Sequence, residues 1–551
     1  MNVALVLAMG VTGVKVCLLT GRYYSTDFLV HRNWLAITRN LPISKWYHDS
    51  TDDYNTLDYP PSFAYFEAFL SRVVAPLLSP KYVSPECFEL YSVEEGREKV
   101  TKSCILFQRL SVIAVDLLFF VPAAVYCSSR MIPRSSSSRS SKEIALLFSM
   151  TFNVGLLLLD HMHFQYNAFV LSLLIFSVST LSSRSEDSGG GPRAQSIRTL
   201  LSAVSYCILL TLKHLYLLLG PAFLIEMLSK YCFCFNKRSG RWPTFSFSAS
   251  RFLLLGLATL TTVAIPFIPV VYTGPDSQFT AWDNLMQIKS RLFPFGRGLT
   301  HAYWAPNLWA LYSLADRVLL KANVFRSRQV LGGGTSGLIS DKQHSVLPNI
   351  SANVCVLLIL VAIFPVLKKL WAAPSKCFAM ACACVSMTAF MLGYHVHEKA
   401  IMTVIMLLNM LMFDDTRKAT LFLRVSFVGH LSLSPLLLEG GLATFATKYF
   451  LIGSHYVACR QLISVLCKEK LSSDLPFIAT GVAVVLFSDV AHPIIFPESM
   501  QFLPLMVFSV ALSFCNVILW YDMHILYFSE TSAAGSGRST GRNKQSKFKK
   551  A

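Results

Sequence analysis

Runs of about twenty apolar residues recur from one end of the chain to the other, and this recurrence limits the possible folds more than any other feature. Such a run, wound as a helix rising 1.5 Å per residue, crosses a bilayer core of about 30 Å. The composition agrees: 53% of the 551 residues are apolar and 15% are charged, where soluble domains carry roughly 25% charged residues. Disorder is excluded as well, because disordered chains are poor in aromatic and β-branched residues. The solvent for this chain is lipid.

The first run, 2–20, lacks a basic leading segment and a small-residue cleavage site, and reads as a retained anchor. Further spans are expected near 105–127, 144–159, 164–181, 200–215, 217–235, 252–272, 347–367, 377–394, 400–413, 421–438, 450–466, 475–490 and 503–528. Basic Ser/Arg linkers at 128–142, 182–198 and 236–251 are cytosolic by the positive-inside rule. The segments 21–102 and 274–346 then lie on the opposite, lumenal side as two long loops. The first, rich in Trp, Tyr, Pro and Asp, suits an ordered loop with short interfacial helices. A count of about fourteen spans leaves both termini cytosolic. The expected organisation is an all-α polytopic membrane unit over 1–528 and a basic cytosolic tail over 529–551. Lys549 and Lys547 near the end have the form of a dilysine retrieval signal, or of a generic basic tail.

The net charge of +18 is concentrated in short loops such as 130–142 and in the tail. That pattern encodes topology, and no nucleic-acid partner is expected. The cysteines show no paired metal spacing, and Cys377, Cys382 and Cys384 read as small buried hydrophobes. Cys87 and Cys104 flank a lumenal stretch, where a disulfide between them is open. Neither a G-x-x-x-x-G-K-[ST] nor a G-x-G-x-x-G phosphate loop occurs, so a nucleotide-driven pump is unsupported.

The unusual chemistry gathers on the lumenal face. The first loop carries Ser25-Thr26-Asp27-Phe28-Leu29-Val30-His31-Arg32-Asn33-Trp34 and then Leu57-Asp58-Tyr59-Pro60-Pro61. Asp27 lies within about two helical turns of the first span and is held near the membrane surface. A solvated loop carboxylate is the alternative reading of that residue. The third and fourth expected spans meet at Asp160-His161-Met162-His163-Phe164-Gln165-Tyr166-Asn167, where two histidines at i and i+2 in a tight turn do not make a zinc-helix motif. Lys213-His214-Leu215-Tyr216, a stretch with Arg297, His301 and Trp304, and Gly393-Tyr394-His395-Val396-His397-Glu398-Lys399 map to the same side. Cations beside Trp and Tyr suit an anionic, lipid-linked substrate with a sugar to stack on. Any one of them also suits a headgroup-level anchor. Their clustering on one face favours a site.

Together these stretches resemble the dolichyl-phosphate-glucose-dependent glucosyltransferases of the endoplasmic reticulum, glycosyltransferase family 57, of the GT-C fold class. The resemblance runs from residue 25 to about 400, and beyond that rests mainly on hydropathy. It implies a multi-pass endoplasmic reticulum protein with a lumen-facing site, dolichyl phosphate glucose as donor and a dolichyl pyrophosphate oligosaccharide as acceptor. Family members that add the first glucose usually carry Glu-Ala-Gln-Arg-His-Trp after the Asp-aromatic pair. The run Val30-His31-Arg32-Asn33-Trp34 is instead similar to members that add the second glucose to a monoglucosylated acceptor; the first-glucose reaction is the alternative.

The resemblance makes Asp27 the catalytic base of a single inverting displacement. A sugar hydroxyl needs a positioned base, whereas a phosphate leaves as a stabilised anion without the second carboxyl that glycosidases require. Charge on the departing phosphate calls for fixed cations, and Arg297, Lys399 and a protonated His397 are the candidates. No metal and no other cofactor is expected. His31, Arg32, Trp34, Asp58 and Tyr59 are expected to shape the loop or to grip sugar hydroxyls, with His31 and Asn33 as readers of the acceptor or as braces. His161, His163, Lys213, His214, His301, Trp304 and His395 complete the expected substrate-binding set. The competing class is a polytopic transporter, for which Asp116, Glu226, Arg424 and Asp489 would be the intramembrane ionisable groups.

Overall fold

A computed structural model of the chain describes residues 3–19, 25–51, 55–78, 83–91, 100–182, 192–236, 244–272, 278–293, 298–301, 305–322, 344–372, 377–497 and 499–530. Among these, ten helices are long and apolar enough to cross a membrane, from Lys102–Met131 to Leu503–Ser529. Three shorter apolar helices, Val6–Leu18, Asn167–Leu181 and Phe378–Leu392, stand where spans are also expected. The remaining expected span, 400–413, contains only the nine-residue helix Ile401–Asn409 followed by turns.

Burial sorts the helices into an inner and an outer set. Every residue of Phe378–Leu392 is buried, and so is every residue of Ile401–Asn409. A helix apolar all round and buried all round is the centre of a bundle. Around it pack Asn167–Leu181, Thr416–Ser432 and Leu503–Ser529. By contrast Ala249–Val271 is apolar but mostly uncovered, with Leu253, Leu257, Leu260 and Ile265 all more than 60% exposed. Such a face is stable against lipid and not against water.

Several ionisable side chains inside the bundle are paired with fixed partners. Lys15 Nζ and His161 Nε2 lie 2.5 and 2.8 Å from Asp116 Oδ2, tying the amino-terminal helix to two others. Arg424 and Arg460 share Asp474, and Tyr449 donates to Asp489. Three of the four groups that a transporter would use are thus satisfied by fixed partners on neighbouring elements.

The first long segment between apolar runs is built and not loose. Ser25 caps the helix Thr26–Asn40 by accepting from the Phe28 N–H. Pro61 starts the helix Pro61–Phe69 at a position where its missing N–H costs nothing. A disulfide joins Cys87 to Cys104, so the open question about this pair is answered. The second long segment docks on the first through Ala281–Leu292, whose Gln287 and Arg291 side chains donate to backbone carbonyls of Tyr47 and Asp49.

One departure from the all-α expectation is a short antiparallel hairpin, Phe233–Asn236 with Thr244–Phe247, in register Phe233 to Phe247. Its sequence signal is the period-two placement of Phe233, Phe235, Phe245 and Phe247. The strands flank a basic linker that the hydropathy reading treats only as a connection.

Candidate active site

Three separate chain breaks converge on Asp27. The first is the start of Thr26–Asn40, which places Asp27 in the first helical turn, where the helix dipole favours a carboxylate.

The second is the end of the span Arg139–Phe164. Its last eight residues, Leu157–Phe164, wind as a π-helix, a feature that often marks functional sites. Phe164 then adopts a left-handed φ of 86° and Gln165 is extended. Asp160 accepts from the Asn167 and Ala168 N–H groups at 3.0 and 2.7 Å and so starts the next helix. His161 and His163 therefore do not share a tight turn, as the sequence suggests. Two residues apart on a helical path, they face opposite ways: His161 is buried against Asp116, and His163 Nε2 lies 3.1 Å from Asp27 Oδ2. Gln165 Nε2 donates to the same oxygen at 2.5 Å. The Ser25 hydroxyl donates to the His163 carbonyl and locks the two breaks together.

The third is the loop after Phe378–Leu392, which turns at His395 with a φ of 52° and presents Lys399 from the short turn Glu398–Ala400. The Lys399 ammonium donates to Asp27 Oδ2 and lies 3.1 Å from His163 Nε2. Burial pushes the Asp27 carboxyl up, but the Lys399 ammonium, with the hydrogen bonds from Lys399 and His163, outweighs it and holds Asp27 well below the usual carboxylate range. Its side chain is still 24% exposed, so a substrate can reach it.

A second tier extends from Gln165. Asn167 Nδ2 donates to Gln165 Oε1 at 2.7 Å, Lys213 Nζ donates to Asn167 Oδ1 at 3.2 Å, and Lys213 sits 5.3 Å over the Tyr59 ring. Asp58, half-buried beside it, helps burial to raise the Tyr59 hydroxyl. His301, His395 and His397 form an adjoining cluster whose ligand-capable atoms lie within 4.8 Å of one another, the one group of this kind among the described residues. Burial, with His301 and Lys399 nearby, pushes His397 well below the usual imidazole range. Glu398 is buried, its carboxyl is pushed up by that burial, and it lines a small cavity with Ser432 and Ser509.

The fold thus brings together Asp27, Tyr59, His163, Lys213 and Lys399, with the three clustered histidines alongside. Others of the expected set serve elsewhere. His31 lies 2.8 Å from Glu67 and is ringed by Trp34, Tyr59, Phe63, Phe164 and Tyr166. Arg32 donates to the Glu89 carbonyl and stacks on Tyr91, while Asn33 and Trp34 donate to the Asn55 and Thr56 carbonyls. These four brace the loop, each giving a side-chain nitrogen to a backbone carbonyl or to Glu67. His214 packs its ring on Phe293. Arg297 and Trp304 lie outside the described residues. Gln165, Asn167 and Glu67 are missing from the sequence reading of the site; for Gln165 and Asn167 the signal is a pair of amides where one apolar run stops and the next begins.

A quarter-exposed carboxylate, held ionised beside an ammonium, can take a proton from a hydroxyl while the ammonium faces an anion. Comparison with known proteins meets this geometry. Residues 11–523 match the profile of the ALG6, ALG8 glycosyltransferase family. A Mus musculus protein named dolichyl pyrophosphate Glc1Man9GlcNAc2 alpha-1,3-glucosyltransferase is 40% identical over 441 residues, covering 78% of this chain and 77% of the relative. Proteins of the same name from Gibberella zeae and Saccharomyces cerevisiae are 34% and 33% identical, each over 93% of this chain and over 96% and 89% of their own lengths.

Proposed function

The chain belongs to the ALG6, ALG8 glycosyltransferase family and is a multi-pass α-1,3-glucosyltransferase of lipid-linked oligosaccharide assembly, and from that premise we propose that it moves glucose from dolichyl phosphate glucose to the monoglucosylated acceptor Glc1Man9GlcNAc2 on dolichyl pyrophosphate. The observation that carries this reading is the contact of Asp27 with Lys399, a base and a cation at one reachable point. A hydroxyl of the acceptor's terminal glucose attacks the anomeric carbon of the β-linked donor. Its proton passes to an Asp27 oxygen as the new C–O bond forms. The bond from the anomeric carbon to the phosphate oxygen breaks, its electron pair leaves with dolichyl phosphate, and the linkage inverts from β to α.

Lys399 has two anions to serve. In the resting site it pairs with Asp27 and depresses its basicity; when the donor phosphate arrives the ammonium is shared with it, and Asp27 becomes the stronger base. General bases work best when their affinity for the proton approaches the ambient pH, so donor binding readies the base. His397 lies next to this exchange, where a ring N–H can donate to a bound anion. His163 and Gln165 hold the carboxylate in place.

The reaction takes place on the lumenal side of the endoplasmic reticulum membrane. In support, the Cys87 to Cys104 disulfide lies in the same lumenal segment as Asp27, and disulfides persist in oxidising compartments. The acceptor choice rests on the relatives' names and on the run Val30 to Trp34. Transfer is tested with purified protein, dolichyl phosphate glucose and separate acceptors bearing none, one or two glucoses. Glucosylation of the one-glucose acceptor alone is expected. Glucosylation of the glucose-free acceptor in its place makes the chain the first-glucose enzyme, with the base and donor unchanged.

A further inference from the structure

Three imidazoles stand beside the Asp27 to Lys399 pair, and the reaction as written uses one of them. The ring centroids of His301 and His397 are 3.8 Å apart, and those of His395 lie 5.3 and 5.9 Å from them. Two loops supply the three rings. The backbone ties these loops together, the His395 N–H donating to the Leu299 carbonyl at 2.8 Å.

The orientation of His395 is informative. Its Nδ1 lies 3.0 Å from the Gly298 carbonyl, and since a carbonyl only accepts, Nδ1 carries the hydrogen and Nε2 carries the lone pair. Metal-binding histidines are held in this way, one nitrogen donating to a carbonyl and the other ligating. The loop turns at His395 through a left-handed φ of 52°, a conformation uncommon for a non-glycine residue. Zn²⁺ with Zn–N bonds of about 2.0–2.1 Å needs nitrogens about 3.3 Å apart, so modest ring rotations close the observed spread of 4.8 Å.

We propose that His301, His395 and His397 form a site for a borderline-soft divalent transition metal, Zn²⁺ foremost, and that the ion acts there as an inhibitor of transfer and not as a cofactor. Three ligands leave a fourth position open, and an ion seated there occupies the imidazoles at the place where the donor phosphate is read above. The competition rests on that reading; the binding of metal does not. Imidazole sites discriminate against Mg²⁺ and Ca²⁺, which prefer oxygen ligands.

The test uses the full chain, purified in detergent and stripped of metal. Titrated Co²⁺ is expected to give a ligand-field spectrum of low coordination number at one ion per chain, displaced by Zn²⁺ and untouched by Mg²⁺. Zn²⁺ should also raise the melting temperature of the unaltered protein, since a ligand of the folded state stabilises it; this readout needs no variant. His301→Gln and His395→Gln should each weaken Co²⁺ binding at least tenfold. In transfer assays Zn²⁺ should inhibit at least tenfold, reversed by chelator and by excess dolichyl phosphate glucose. Absence of stoichiometric Co²⁺ binding together with no Zn²⁺ shift in melting overturns the proposal, as does inhibition unchanged in both variants. Stoichiometric Co²⁺ that dolichyl phosphate fails to displace upholds the metal site and overturns the placement of the phosphate.

Discussion

Asp27 and Lys399, 372 residues apart in the chain, meet as carboxylate and ammonium. Each is only partly covered, with side-chain exposures of 24% and 13%, so the pair stands at the mouth of the site and not in its core. A pair so placed can be parted by a substrate. A fully buried one would be costly to open.

Asp27→Asn keeps the shape of the side chain and removes its basicity. Transfer is expected to fall by about 10²- to 10⁴-fold, the usual worth of a general base. The variant should remain inserted and melt near the parent. Near-parental turnover would move the base elsewhere; Asp160 is a poor successor, since its oxygens are spent on the start of the helix Asn167–Leu181.

Lys399→Met should change the pH profile as well as the rate. Asp27 is pushed up by burial and held down chiefly by Lys399, with the hydrogen-bonded His163 next. Because its folded value is depressed, the carboxylate stays ionised until the pH falls below the ordinary range. Without the ammonium it protonates at higher pH, so the acid limb of kcat/KM should move upward. An unmoved limb with a merely lower plateau would show that Lys399 does not govern Asp27.

Glu67→Ala tests the brace under the first loop. Glu67 is fully buried, and its removal leaves His31 Nδ1 without its partner inside an aromatic cage. A loss of about 1–3 kcal/mol is expected for an orphaned buried group, read as a lower melting temperature. Acceptor choice should be unchanged in the protein that remains folded. An altered preference for glucosylated acceptors would make His31 a reader of the sugar after all.

The Cys87 to Cys104 bridge spans 17 residues of sequence. Replacing both by Ser should cost about 3 kcal/mol, the chain-entropy value for a loop of that order. Thermal unfolding with and without reductant provides the comparison. Equal melting in both conditions would mean that the pair is not joined in the isolated protein.

Local composition alone determined that this chain lives in lipid and roughly where its spans lie. Those properties follow from hydropathy and from loop charge, both readable within a window of about twenty residues. Asp27 and the run His395 to Lys399 were legible because polar, ionisable residues at the ends of apolar runs have few structural reasons to be there. What the tertiary structure decided is which of those residues meet. Asp27 reaches Lys399 only because a capped helix, a π-helical end and a left-handed turn at His395 coincide in space. His161 and His163 look alike in sequence, and helical geometry sends one to Asp116 and the other to Asp27. His31, Arg32 and Trp34 sit in the same run as Asp27, yet packing spends them on Glu67 and on backbone carbonyls. Spacing along a helix says that two side chains point apart, but not which long-range partner each meets, and burial settles that competition.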